Sequence, residues 1–109
     1  MQMDPKITFR NMDHSAALEA RIREKIKKLD NNFNGIISCS VMVEAAHKHQ
    51  HQGFLYSVHI NVTVPGGDLV VSEHPGKTPK RDEDPFLAMN DAFSAIDKQL
   101  ERYKSNLKE

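Results

Sequence analysis

The sequence predicts an α+β domain of two layers, a four-stranded sheet with two helices packed on one of its faces, in the order β-α-β-β-β-α. Three observations lead to that reading. Three segments alternate apolar and polar residues with a period of two, and a fourth strand-like segment follows a tight turn. Two longer segments carry apolar residues at steps of three and four, the mark of a helix with one buried stripe. The 109 residues suffice for one core and are too few for two, so residues 1–109 are read as a single domain in which all six elements share that core.

The first strand is Lys6 to Arg10, where Ile7 and Phe9 alternate with Lys6, Thr8 and Arg10. Ser15 is suited to cap the helix that follows, in which Leu18, Ile22, Ile26, Leu29 and Phe33 recur at steps of four, four, three and four. Asn34 and Gly35 tolerate left-handed geometry and end it. Ile37 to Ala45 sets Ile37, Cys39, Val41 and Val43 on one face. Phe54 to Val64 alternates in the same way, through Phe54, Tyr56, Val58, Ile60, Val62 and Val64 or their complement. The polar stretch from Ala46 to Gly53 joins these two strands, and Pro65, Gly66 and Gly67 turn the chain into a fourth, Asp68 to Glu73. The last three strands form an antiparallel meander. A right-handed crossover through the first helix makes the first two strands parallel. His74 to Glu83 has two prolines and no periodicity and is read as a flexible loop, 74–83. Asp84 and Pro85 are an N-cap and first helical residue, and Phe86, Met89, Phe93, Ile96, Leu100, Tyr103 and Leu107 continue the second helix without a break. This layout resembles that of double-stranded RNA-binding domains, a likeness of fold that does not establish function.

Composition excludes several classes. With 39% hydrophobic and 28% charged residues the chain has the balance of a folded protein rather than a disordered one. No apolar run approaches the roughly 20 residues that cross a bilayer, and Met1 to Arg10 shows no secretory signal, so a cytoplasmic protein is expected. Cys39 is the single cysteine, which rules out an internal disulfide and any thiolate cluster. Formal net charge is zero, which argues against indiscriminate coating of nucleic acid. The charges are nevertheless segregated. Glu19 to Lys28 holds five basic and two acidic residues, Lys98 to Lys108 four basic and one acidic, and Asp68 to Asp84 five acidic and three basic.

On a helical wheel Arg21, Lys25 and Lys28 share a stripe beside the apolar seam of the first helix, with Arg23 and Lys27 on the other flank. On the second helix Lys98 and Arg102 are one turn apart and point away from the core, and Lys104 and Lys108 lie towards the opposite edge. Cations one turn apart can follow a line of phosphates. The same spacing also describes an ordinary solvated face, the commoner reason for lysine on a helix. His47, His49 and His51 would point the same way on an extended segment, but no cysteine and no carboxylate beyond Glu44 accompanies them, so no metal is assigned. No nucleophile elbow, glycine-rich phosphate loop or cofactor motif is present, and no catalytic residue, cofactor or small-molecule substrate is expected. Asp82, Glu83 and Asp84 suit the start of a helix.

Four stretches together resemble the ribosome hibernation-promoting factor and ribosome-associated translation inhibitor family. They are ITFRNM from Ile7 to Met12, ALEARIREKIKKLDNNF from Ala17 to Phe33, HINVTVPGGDLVVSE from His59 to Glu73, and DPFLAMNDAFSAIDKQLERYKSNLK from Asp84 to Lys108. The resemblance covers nearly the whole chain, and the VPGGDL turn followed by the aspartate-started basic helix is its most specific part. It implies a domain that sits in the messenger and transfer RNA channel of the small ribosomal subunit, bound to ribosomal RNA, and that inhibits translation in stress or stationary phase. The family's basic positions fall on Lys25, Lys28, Lys98, Arg102, Lys104 and Lys108, which with Arg21 make the expected RNA-binding set. Relatives often begin the closing helix with aspartate, methionine, tyrosine and two alanines, where this chain has Asp84, Pro85, Phe86, Leu87 and Ala88, and a family lysine in mid-helix stands here as Ala95. Lys77, Lys80 and Arg81 are candidates to compensate for it. The chain resembles the short form, without the added dimerisation domain of long members. Whether a ribosome-dimerising partner factor joins it is left open. A double-stranded RNA-binding module without ribosomal preference is the competing reading.

Overall fold

A computed structural model describes residues 1–47, 54–73 and 82–107. Its elements are β1 (Lys6–Arg10), α1 (Ala16–Asn32), β2 (Ser38–His47), β3 (Phe54–Val64), β4 (Gly67–Glu73) and α2 (Pro85–Leu107). The sheet runs β1-β2-β3-β4, with β1 parallel to β2 and the other two pairings antiparallel. This is the α+β architecture expected from the periodicities.

The register aligns the apolar faces across the whole sheet. Ile7 pairs with Val41, Val41 with Ile60 and Ile60 with Val71, so one row of branched side chains spans all four strands. A second row is Phe9, Val43 and Val58, and a third joins Cys39, Val62 and Leu69. Slipping any strand by one residue would turn these side chains to the opposite face, which is why the register is strongly specified. Leu18, Ile22, Ile26 and Leu29 of α1 and Ala88, Met89, Ala92, Phe93, Ile96 and Leu100 of α2 close over them in one buried cluster. The other face of the sheet presents Lys6, Thr8, Arg10, Ser40, Met42, His59, Asn61, Val70 and Ser72, which are exposed or half-buried.

Local chemistry sets the ends of the helices. The Ser15 hydroxyl accepts from the Leu18 amide at 3.2 Å, and the Asp84 carboxylate accepts from the Phe86 amide at 2.8 Å. The end of α1 differs in detail from the sequence reading. Phe33, in extended geometry, is the C-cap and its N–H still reaches the Leu29 carbonyl, while Gly35 two residues on takes the left-handed turn at φ 96°. That turn delivers Ile36, rather than Ile37, into the core at 2% exposure. Phe54, at the end of β3 opposite His47, is 42% exposed although it continues the alternating pattern of Val58, Ile60 and Val62. Of the segment 74–83, residues 74–81 lie outside the described residues, and Asp82 is buried.

The topology also sets the direction of the helices. Since β1 and β4 point the same way, α1 and α2 both return in the opposite sense and lie parallel to each other, in contact. At the far edge α2 is tied to β4 and to the β3–β4 turn. Gln99 Nε2 donates to the Val70 carbonyl at 3.0 Å, and the Tyr103 hydroxyl donates to the Pro65 carbonyl at 2.9 Å.

Candidate nucleic-acid interface

The parallel helices place the two basic segments on one layer of the molecule. Arg21, Lys25 and Lys28, successive turns of one flank of α1, line a groove of about 310 Å³ whose other wall is the first turns of α2, with Phe86, Met89 and Asn90. Glu24 stands on the same wall as the cations. Arg21 and Lys28 are exposed and Lys25 is half-buried, and none of the three makes an ion pair or hydrogen bond within the described residues. Unpaired cations in a row are the arrangement that leaves charge free for an external anion.

Arg23 lies on the opposite flank and is used internally. Its Nε donates to Glu19 Oε2 at 3.3 Å, while Glu19 Oε1 is 2.9 Å from His14 Nε2. These two hydrogen bonds, that of His14 first, hold the Glu19 carboxyl below its usual value. Asp30 on the same side of α1 accepts the N-terminal ammonium at 2.7 Å. On that flank Glu19 and Asp30 are thus engaged by Arg23, His14 and the N-terminal ammonium, whereas Arg21, Lys25 and Lys28 on the α2 flank make no ion pair among the described residues.

On α2 the expected residues divide into two sets. Lys98 and Arg102 are exposed and unpaired within the described residues. Lys104 instead faces α1, with its Nζ 5.8 Å from the centre of the Phe33 ring. There it borders a small apolar pocket of about 140 Å³ formed with Ile36, Val64, Leu100 and Tyr103. Between the two ends of the helix seam sits Asp97, whose carboxyl is pushed above its usual value by burial and by Glu101 and drawn back by Lys25. Lys108, His49 and His51 lie outside the described residues, as do Lys77, Lys80 and Arg81. The structure therefore joins Arg21, Lys25 and Lys28 in one groove, puts Lys104 at the far end of the same seam, and leaves Lys98 and Arg102 on a separate stripe.

Phe86, Met89 and Asn90 were not among the expected site residues, since Phe86 and Met89 read as core. Met89 is core, at 2% exposure, but Phe86, which also lines the groove, is 36% exposed. The available signal was its place in the first turn of α2, at the start of the apolar stripe.

The chain matches the model of one protein family over residues 6–108, which takes in every described element. It belongs to the Sigma 54 modulation protein / S30EA ribosomal protein family. Solved structures agree on the fold. A ribosomal subunit interface protein from Coxiella burnetii superimposes with a TM-score of 0.73 at 17% identity, covering 94% of this chain and 99% of that one. The N-terminal domain of Thermus thermophilus Protein Y gives 0.65 at 20% identity, with the same coverage. Comparison with curated proteins finds no match. In this S30EA-family chain Arg21, Lys25, Lys28, Lys98, Arg102 and Lys104 of the helical layer carry no ion pair among the described residues. No described helix is long and apolar enough to cross a membrane.

Proposed function

We propose that this protein is a ribosome hibernation factor that binds the small ribosomal subunit in the messenger and transfer RNA channel and inhibits translation in stress or stationary phase. The observation that carries the proposal is the coincidence of S30EA-family membership with unpaired cations on both helices of one layer. Arg21, Lys25, Lys28, Lys98, Arg102, Lys104 and Lys108 contact ribosomal RNA phosphates in this reading. Such contacts position a protein without reading sequence, which suits a factor that has to recognise one fixed RNA surface by shape. Inhibition is steric and needs no chemistry, because a folded domain lodged in the channel excludes messenger and transfer RNA. The protein acts in the cytoplasm, where ribosomes are, and takes no cofactor.

Purified protein added to small subunits should co-sediment with them and protect nucleotides along the channel from chemical modification. Prior loading of messenger RNA and initiator transfer RNA should reduce binding, and the protein should slow a reconstituted translation reaction. Absence of co-sedimentation, or protection confined to sites away from the channel, would refute the proposal. Equal affinity for a plain RNA duplex would instead favour the general double-stranded RNA-binding module.

A further inference from the structure

The groove between α1 and α2 has more in it than a phosphate track needs. A row of cations meets the charge requirement by itself, yet the opposite wall offers an exposed aromatic ring, Phe86, beside a carboxamide, Asn90, over the buried side chain of Met89. At about 310 Å³ the groove is at the lower end of the range, about 300–1,000 Å³, occupied by small-molecule sites. Its lining is divided, with an apolar and hydrogen-bonding wall on α2 and a cationic wall on α1.

We propose that this groove takes one unstacked nucleotide of a single-stranded or bulged RNA, an inference that rests on the RNA-binding reading above and specifies its substrate. The base lies against the Phe86 ring and over Met89, the Asn90 amide meets a base edge, and the flanking phosphates lie along Arg21, Lys25 and Lys28. Glu24 fits the same division. A carboxylate beside three cations repels a phosphate at its own position but accepts from a base N–H, the N3–H of uracil or an exocyclic amino group, so it directs the base rather than the backbone to that point. A paired base in an A-form helix has no free face to stack, whereas a splayed base has two, which makes the site selective for unpaired RNA.

The chain contains no tryptophan, so Phe86→Trp creates a single emitter inside the groove. Titration of that variant with an unstructured oligouridylate of eight nucleotides should quench its fluorescence. A blunt duplex of the same length should bind more weakly and leave emission unchanged. Phe86→Leu keeps the apolar volume and loses the ring, and it should weaken small-subunit binding by about tenfold with the salt dependence unaltered. Phe86→Tyr should restore it. All three Phe86 substitutions are tested in variants whose thermal unfolding matches that of the parent, as a partly exposed first-turn residue allows. Unquenched emission with the oligouridylate, or equal quenching by the duplex, overturns the nucleotide slot. So does full small-subunit affinity in Phe86→Leu, which leaves ribosome binding itself standing. If the parent chain fails to bind small subunits, the function proposed above falls, and the oligouridylate titration still decides the slot.

Discussion

Removing charge from the α1 wall of the groove should change how binding responds to salt, by an amount that follows from the count of free cations. Among the described residues six candidate cations, Arg21, Lys25, Lys28, Lys98, Arg102 and Lys104, are without an ion pair. Each phosphate neutralised contributes about 0.7–0.9 to the slope of log affinity against log salt, so six contacts give a slope of about −4 to −5. Replacing Arg21, Lys25 and Lys28 with glutamine should remove half of it, about 2 to 2.7, and lower affinity roughly 100- to 500-fold at 0.1 M salt if the non-electrostatic part is unchanged. Arg23→Gln is the internal control, because Arg23 is already committed to Glu19 at 3.3 Å on the other flank. The assay is co-sedimentation or fluorescence titration with small subunits at four or five salt concentrations. An unaltered slope in the triple variant, or an equal fall in Arg23→Gln, would refute the assignment of the groove as a phosphate-binding surface.

Four further outcomes test the fold and its local electrostatics. Leu100→Ala, at a site 1% exposed, should cost about 2–5 kcal/mol, and against a typical total of about 5–15 kcal/mol the urea midpoint should fall sharply. Ser15→Ala removes the acceptor of the Leu18 amide and should cost about 1 kcal/mol by the same measurement, with the sheet intact. Burial pushes the Cys39 thiol up to about 11, so the folded protein should resist alkylation at pH 8 and react only at its rate of unfolding. The folded state holds this proton more tightly than the unfolded chain, so its stabilising share is complete below the ordinary thiol value and lost as pH rises towards 11. Lys25→Gln should raise the Asp97 carboxyl further above its usual value, since Lys25 is the charge that draws it down, and a carboxylate NMR titration would register the change.

The element order and the core were legible because each rests on the period of one segment. Ile7 and Phe9, or Ile22 and Ile26, declare their face from neighbours within a few residues, and strand register follows once those faces must meet. Asp84 and Pro85 marked the start of α2 to the residue. The sequence pattern was less informative where elements end. Ile36 enters the core and Phe54 leaves it, since a period cannot tell which of its residues another element covers.

The stripes of cations on α1 and α2 were likewise visible in the chain alone, as was the family that their text resembles. What the chain alone left open was whether any cation was free and what stood across from it. Arg23 and Lys25 are equivalent by composition, two residues apart, yet one is paired with Glu19 and the other lines a groove against a helix some 60 residues further on. Phe86 and Met89 share one stripe and both line that groove, yet one is exposed and the other buried. Sequence by itself determined the elements, their buried faces and the location of positive charge, because those are properties of a single segment. Tertiary structure alone decided which charges remain free and which residues face them, because both depend on the parallel packing of two helices that the order of the sheet imposes.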